Sequence, residues 1–367
     1  MKIKRVEPIA VSLPMLKPMK MAGVEIRTAD NLLVRLETDS GHVGWGEAAS
    51  APTMTGETVE GMTAAARCIA PAVEGLAATD IAGFATAMKR AIYGNAAAKS
   101  AVEMALHDAL GRAAGTPVYQ LLGGKHRDRV PVLWLLGTGS ADGDVAEARD
   151  KMAAGFVAYK IKVGVDDPLR DAERTRRICD VLGAGHLISA DANQGWSVEQ
   201  AIAYVQAVAD TRLDFFEQPV MGDDLAGMAK VAAASRVPIG FDEGAHGIAD
   251  IERHHAMKAA SGISLKTIKL GGLRPVMEAG VLCERLGMKI NLACKIAESG
   301  IATAGVLHLA AALPSVDWGV SLSSQYLADD VVRTPLPIVK GHAQVPAGAG
   351  LGFEVDESKV RRYALKL

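Results

Sequence analysis

Ala158-Tyr159-Lys160-Ile161-Lys162, His186-Leu187-Ile188-Ser189-Ala190-Asp191, Leu213-Asp214-Phe215-Phe216-Glu217 and Val237-Pro238-Ile239-Gly240-Phe241-Asp242 are four apolar runs, each ending in a charged residue. A fifth, Ile263-Ser264-Leu265-Lys266, follows within the stretch Phe156 to Gly272. From one terminal charge to the next the intervals are 191−162=29, 217−191=26, 242−217=25 and 266−242=24 residues. Each gap holds about one strand and one crossover helix, as in a βα unit of roughly 30 residues. Short apolar runs alternating with helical patterns argue for parallel strands. In a closed parallel barrel, polar residues gather at the C-terminal strand ends. The ladder therefore predicts a single mouth carrying Lys160, Lys162, Asp191, Glu217, Asp242 and Lys266.

Three carboxylates at one mouth repel one another, so a cation is expected among them. An all-oxygen donor set suits a hard divalent ion, Mg²⁺ before Mn²⁺ and well before Zn²⁺. Any one of these acids is as readily a helix N-cap; their recurrence at successive strand ends is what favours a metal site. On the strand of Lys160 and Lys162, Tyr159, Ile161 and Val163 occupy the opposite face. That apolar face should meet the helices, which points both lysines into the barrel. A buried ammonium is costly unless paired, and desolvation lowers its pKa towards the range of a general base. Asn193 is placed to orient a ligand or substrate. Glu243 is either a partner of the acids or a plain salt-bridge residue. Cys294, Lys295 and Glu298 lie just past the seventh strand, where Glu298 faces substrate or caps the next helix. Lys269, before Leu-Gly-Gly, is expected in a loop, and His254-His255 on a helix surface.

Outward from the ladder, Val130–Leu135, Met288–Ala293 and Val316–Ser321 bring the strand candidates to eight, the number a (β/α)8 barrel needs. Asp167-Pro168 reads as an N-cap followed by an N1 proline, and Ser197 with Gln200 as a capping box. Upstream, residues 2 to 13 alternate to Pro14, and Asn31–Thr38 and Val43–Glu47 continue an antiparallel meander. Lys17 to Gly23 is expected as a loop, either plain surface or a substrate lid. Alanine-rich helical patterns run from Thr58 to Leu122, with Ala98, Val102, Ala105 and Ala109 forming one stripe. After Asp329 the rhythm is lost, and Val345 to Gly352 predicts a return onto the N-terminal part. Gly348, Gly350 and Gly352 do not link a strand to a helix, which excludes a nucleotide loop. The expected division is a capping domain over 1–127, a barrel over 128–328 and a returning segment over 329–367.

The chain has 367 residues, 49% of them hydrophobic, enough for a large domain with a smaller one. A formal charge of −2 with both signs mixed speaks against nucleic acid and anionic membranes. Cys68, Cys179, Cys283 and Cys294 have no paired or zinc spacing, as expected of reduced thiols. The first residues lack a signal-peptide core and no run is long enough to span a bilayer, so a cytoplasmic protein is expected.

The constellation resembles the enolase superfamily, and within it the muconate lactonizing enzyme (muconate cycloisomerase) subgroup. The resemblance rests on Lys160-x-Lys162, Asp191-Ala-Asn193, Glu217-Gln-Pro219, Asp242-Glu243 and Lys266-x-x-Lys269-x-Gly-Gly272. Gly44-Trp-Gly-Glu-Ala48, Ala98 to Asp108 and the Leu-Leu-Gly-Gly124 run extend it over nearly the whole chain. It implies a modified (β/α)7β TIM-type barrel with an α+β capping domain formed by the N-terminal segment and the C-terminal tail. It implies Mg²⁺ on Asp191, Glu217 and Asp242, with Lys162 and Lys266 as acid/base lysines and Lys160 in support. A lysine base with a Mg²⁺-stabilised ene-diolate is the established pattern for this superfamily. The loops at Lys17–Val24, with Lys20 and Met21, and at Ser50–Gly56, with Met54, are expected to select substrate. The resemblance also suggests a homo-oligomer.

The expected activity is abstraction of the proton α to the carboxylate of a small molecule, in the manner of a cycloisomerase. Racemisation or epimerisation of N-acyl or N-alkyl amino acids is the alternative. Dipeptides are disfavoured, because Trp318-Gly-Val-Ser-Leu-Ser lacks an Asp-x-Asp. Lys295 or Lys20 is a candidate for a second carboxylate. From other classes, a metal-independent Schiff-base aldolase using Lys266 and a non-catalytic binding barrel remain to be separated by experiment.

Overall fold

The computed structural model describes residues 1–21 and 24–367, with only the backbone of Lys20, Met21 and Val24. Strands β1 (Ile3–Met21), β2 (Val24–Thr38) and β3 (Val43–Ala49) form an antiparallel sheet in that order. Pro14 does not end β1. The register shifts between Pro14 and Met19, then pairing resumes at Met19–Ile26 and Lys20–Glu25. A bulge tolerates a proline because the ladder needs no N–H there. The segment expected as a loop from Lys17 is therefore mostly the arm of a long hairpin. Ala22 and Gly23, and the side chains of Lys20 and Met21, lie outside the described residues.

Helices α1 (Val59–Val73), α2 (Ile81–Ala91) and α3 (Ala96–Ala114) cover this sheet. The α3 helix is buried on nearly every side. It lies so close to β3 that a Cβ at Gly46 would fall 2.0 Å from the carbonyl oxygen of Ala101. A strand glycine at such an approach is a packing requirement. On its other side, Glu103 accepts from the backbone N–H groups of Leu273 and Arg274, at 2.8 and 3.0 Å, which open the helix Leu273–Leu286.

The run expected as the first barrel strand splits. β4 (Arg129–Pro131) leaves the barrel for a small antiparallel sheet, and only β5 (Leu133–Leu136) enters it. The barrel strands that follow are β6 (Ala158–Lys162), β7 (Leu187–Asp191), β8 (Phe215–Glu217), β9 (Ile239–Phe241), β10 (Gly262–Leu265), β11 (Lys289–Ala293) and β12 (Val320–Ser321). β5 to β12 pair in sequence order, all parallel, and a bridge from Val132 to Val320 closes the ring. At the end where the strands start, Trp318 stacks on Phe215 with centroids 4.1 Å apart. It occupies the space left by Gly240 and Gly262, where a Cβ would meet the indole at 2.9 and 2.4 Å. That stack fills the barrel from below and leaves the opposite mouth for chemistry.

The crossover helices start as their sequences predict. Asp167 caps Pro168–Leu182 by accepting from Leu169 and Arg170, and Ser197 and Gln200 form both bonds of a capping box. A helix separates each pair of successive barrel strands, and after β12 only a 3-10 turn, Ser324–Tyr326, follows, which makes the barrel (β/α)7β. The chain then returns. Strands β13 (Ile338–Val339) and β14 (His342–Gln344) pair with each other and with β4. Gly350 bonds Thr116, Leu351 donates to Asp108 of α3, and Leu365 bonds Ala10 of β1 beyond the helix Glu357–Tyr363. No helix among the described residues is long and apolar enough to cross a membrane.

Candidate active site

Register brings the ladder together. Lys162 lies opposite Asp191, Asp191 opposite Glu217 and Glu217 opposite Gly240, with Asp242 two residues further on. Tyr159 and Ile161 join the core behind the strands while Lys160 and Lys162 line the mouth. Lys266 follows β10, four strands round the ring from β6 and so across the mouth from Lys162. A cavity of about 70 Å³ lies between them.

Each acid is turned onto a lysine. Lys160 Nζ donates to Glu217 Oε2 at 2.5 Å, and Lys162 Nζ to Asp191 Oδ2 at 2.6 Å and Asn193 Oδ1 at 2.8 Å. Lys266 Nζ donates to Asp242 Oδ2. Lys269, expected in a loop, is 1% exposed. The short helix Thr267–Leu270 turns it beneath Asp242, where its Nζ reaches Oδ1 at 2.6 Å and the Ser264 carbonyl at 2.8 Å.

Burial opposes the charge on every one of these groups, and the local partners decide the outcome. Asp191 is held below its ordinary pKa because Lys162 and Lys160 outweigh its burial. Asp242, between Lys266 and Lys269, is held far below it. Glu217 is raised, because burial together with repulsion from Asp191 and Asp242 exceeds the help of Lys160. Lys160 and Lys266 are raised despite burial, by Glu217 and Asp191 in one case and by Asp242, Glu243 and Glu217 in the other. A lysine so held as ammonium is a poor Schiff-base nucleophile, which counts against the aldolase reading.

Glu243 lines the same cavity. Its Oε1 accepts from Asn193 at 3.0 Å, its buried Oε2 has no partner among the described residues, and burial beside Asp242 and Asp191 pushes it up to about 8. Asn193 adopts φ 42°, and its N–H donates to Asp191 Oδ1 at 2.9 Å. Gln218, which sequence reasoning passed over, accepts from the N–H groups of Asp242 and Gly244 at 2.8 and 3.2 Å. It thereby fixes the turn that carries Asp242.

Among the described residues no three Asp, Glu, His or Cys side chains converge on one ligating point. The acids are adjacent instead. Glu217 feels both Asp191 and Asp242, and all three reach the mouth from neighbouring strand ends. Hard oxygen donors crowded at one edge, with an orphaned Glu243 oxygen beside them, fit a hard divalent ion in the chemistry of the donor set.

The remaining residues singled out in the sequence fall into place unequally. Met54 lines the cavity, with its sulfur 3.8 Å from Lys266 Nζ. Lys295 lines it as well, whereas Glu298 sits behind the wall and accepts from the Lys295 N–H at 2.9 Å. The helix cap there is Ser299, not Glu298. His254 is buried and stacked on Phe241 at 3.8 Å, while His255 is exposed, so the pair does not share a surface. Glu47 of β3 carried no assigned role, yet it is fully buried and accepts from Asn31, from the N–H and hydroxyl of Ser299, and from the Ala302 N–H. It ties the N-terminal sheet to the segment that follows the seventh barrel strand.

Residues 5–123 match the family model for the mandelate racemase / muconate lactonizing enzyme N-terminal domain, and residues 143–359 match that for the enolase C-terminal domain-like family. Muconate cycloisomerase 1 of Rhodococcus opacus is 32% identical over 98% of this chain and 98% of its own. The crystal structure of N-succinyl Arg/Lys racemase from Bacillus cereus is similar with a TM-score of 0.95 at 26% identity, covering 100% of this chain and 99% of that one. That of a dipeptide epimerase from Cytophaga hutchinsonii, complexed with Mg and D-Ala-L-Val, has a TM-score of 0.93 at 28% identity, with 100% and 99% covered. Enolase-superfamily enzymes use a divalent metal, in keeping with the oxygen donors at this mouth. Matched along nearly its whole length in both sequence and structure, the chain belongs to the enolase superfamily, in its muconate lactonizing enzyme subgroup, and is an isomerase of that kind.

Proposed function

We propose that the protein removes the proton α to the carboxylate of a small acid, forms an enediolate and isomerises it, with cycloisomerisation as the first reading. The observation that carries this is the placement of Lys162 and Lys266 across one mouth with three acids between them. Asp191, Glu217 and Asp242 would hold the divalent ion, Mg²⁺ with Mn²⁺ as a substitute. When bound, it supplies positive charge that acidifies the α-proton and offsets the charge developing on the substrate carboxylate. Lys162 and Lys266 exchange the proton on opposite faces of the α-carbon. Lys160, tied to Glu217, supports Lys162 by holding positive charge beside it, and Asn193 orients Lys162 and Glu243 together. Met54 covers the Lys266 side, and the hairpin arm carrying Lys20 and Met21 selects substrate with it.

Racemisation of N-acyl amino acids is the second reading, supported by the likeness to the Bacillus cereus racemase. Dipeptides remain disfavoured, because Ser321 and Ser323 stand where an Asp-x-Asp is expected. We divide the chain at 127 and 328, and place it in the cytoplasm as a homo-oligomer.

The test is α-deuterium incorporation in D₂O, read by mass spectrometry over a panel of muconates, lactones and N-acyl amino acids. Exchange that needs Mg²⁺ and stops with EDTA is expected. Turnover that survives EDTA, with an adduct on Lys266 trapped by borohydride, overturns the proposal in favour of Schiff-base chemistry.

A further inference from the structure

We propose that Arg174, with Asp144 and Asp171, is a positioning residue that holds Lys162 in place at the mouth, through a clamp that Lys266 does not share. This deepens the enediolate reading, from which it takes the role of Lys162.

The helix Pro168–Leu182 carries Arg170, Arg174, Arg176 and Arg177, and of these only Arg174 is buried. It meets two carboxylates that are 0% and 3% exposed, those of Asp144 and Asp171. Its Nη1 donates to Asp144 Oδ2 at 2.7 Å and its Nη2 to Asp171 Oδ1 at 2.8 Å. The same Nη2 also donates to the backbone carbonyl of Lys162. Each acid spends its other oxygen on backbone. Asp171 Oδ2 accepts from the Gly164 N–H at 3.0 Å, and Asp144 Oδ1 from the Thr138 N–H at 2.8 Å. The cluster therefore grips the chain on both sides of Val163, where β6 ends, and also the loop that leaves β5.

Both grips bear on Lys162. β5 lies beside β6, and a Cβ at Gly137 would fall 3.3 Å from Lys162 Cβ. Anchoring Thr138 thus fixes the wall along which the lysine stem runs. Beyond that wall the packing is open, with a cavity of about 620 Å³ lined by Gly137, Thr138, Lys162, Arg174 and Asn193, among others. With space on that side, charge-assisted bonds rather than packed side chains hold the strand end. A buried ionic cluster is a weak source of stability, because desolvation cancels most of the attraction. What the planar fork of a guanidinium supplies is fixed geometry.

Lys266 is held by other means. Its carbonyl accepts from the Leu270 N–H at 3.3 Å within the turn Thr267–Leu270, and its Nζ bonds Asp242. Among the described residues, none of its hydrogen bonds reaches the Arg174 cluster. Loosening the cluster should therefore disable one lysine and spare the other.

The kinetic test uses N-succinyl-L-lysine and N-succinyl-D-lysine, separately, with the Mg²⁺-loaded protein in D₂O. Lys162→Ala identifies the enantiomer that Lys162 serves. A misplacement of about 1 Å can cost about 10²-fold in rate, so Arg174→Met should lower kcat for that enantiomer by about 10²-fold. KM should stay within about threefold, and exchange of the other enantiomer should stay within about threefold. Arg174→Lys keeps a cation between the acids and folds where methionine may not be tolerated. It loses the fork, and should show the same one-sided loss at about tenfold. A second measurement needs no substrate. Amide hydrogen exchange of the peptide spanning residues 160–166 should speed up about tenfold or more in Arg174→Lys, with the peptide spanning 262–268 unchanged.

Equal losses for both enantiomers would show a general structural role and overturn the proposal. So would wild-type rates for the Lys162 enantiomer in Arg174→Lys, or unchanged amide exchange at 160–166. If that amide exchange rises as stated while the wild type exchanges the α-proton of no acid in the wider panel, the enediolate reading fails and the clamp on Lys162 stands.

Discussion

Replacing Lys269 with methionine removes a cation that touches only the protein, which isolates the electrostatics beneath the site. Its ammonium lies 2.6 Å from Asp242 Oδ1 and also bonds the Ser264 carbonyl at 2.8 Å. At an effective dielectric of about 20, two unit charges at that separation attract by about 6 kcal/mol. Burial, with repulsion from Lys266, more than offsets this attraction for Lys269 itself, as the net lowering of its pKa shows. The cost of removal therefore comes from leaving Asp242 with one partner fewer. Removing one member of a buried pair generally costs about 3–5 kcal/mol. Lys266 still faces Asp242, so a loss near the low end, about 3 kcal/mol, is expected. Asp242 is held below its ordinary pKa, so its contribution is present above about pH 4 and lost only as the pH falls through its folded value. Urea unfolding at pH 7.5 therefore reads the full effect. The variant site is more negative and gains more from a divalent ion, so saturating Mg²⁺ should narrow the difference from wild type by at least about 1 kcal/mol. A loss under about 1 kcal/mol in EDTA, or a loss that Mg²⁺ leaves unchanged, would refute the placement of Lys269 as a charge supporting a metal-binding Asp242.

Lys162→Ala and Lys266→Ala should each slow α-proton exchange by about 10²–10⁴-fold, but with opposite enantiomers of a chiral substrate. Single-enantiomer exchange in D₂O reads this, and equal losses for both enantiomers in both variants would break the two-faced assignment. Glu47 predicts a pH effect on stability. Burial raises it from an ordinary 4.5 to about 7, so its neutral form favours the folded state, and that contribution is complete below about 4.5 and lost as the pH rises through 7. A shift of 7−4.5=2.5 corresponds to about 3 kcal/mol. Between pH 5 and pH 8 the wild type should lose about 2–3 kcal/mol relative to Glu47→Gln, and a difference flat in pH would show that Glu47 does not titrate as described.

The barrel was legible because its chemistry is periodic. A strand must bury its apolar residues, and the first polar residue past that run marks the mouth, so the ladder from Lys162 to Lys266 showed the fold and which side chains it gathers at one end. The residues that were missed break that period. Lys269 reaches the site through a single helical turn that doubles back, and nothing in Leu-Gly-Gly announces a side chain folded under Asp242. The hairpin arm was hidden because Pro14 read as a terminator, whereas a register shift after it lets the pairing resume at Met19. Glu47 sits mid-strand in the N-terminal sheet, and its partners Ser299 and Ala302 are some 250 residues away. Only tertiary structure brings such an acid to a helix start. Gln218 had one usable signal, its place between a ladder acid and Pro219.

The last segment has a consequence for how the protein is made. β1 is the outer strand of its sheet, and the middle of its free side, at Ala10 and Val11, is met by Ala364 and Leu365. Those residues leave the ribosome more than 340 positions after the strand they cover. Until then the nascent N-terminal hairpin presents an unprotected edge, the kind that recruits strands from neighbouring chains. Extensions or deletions at residues 357 to 367 should therefore show first as aggregation during synthesis, with the finished barrel chemistry untouched.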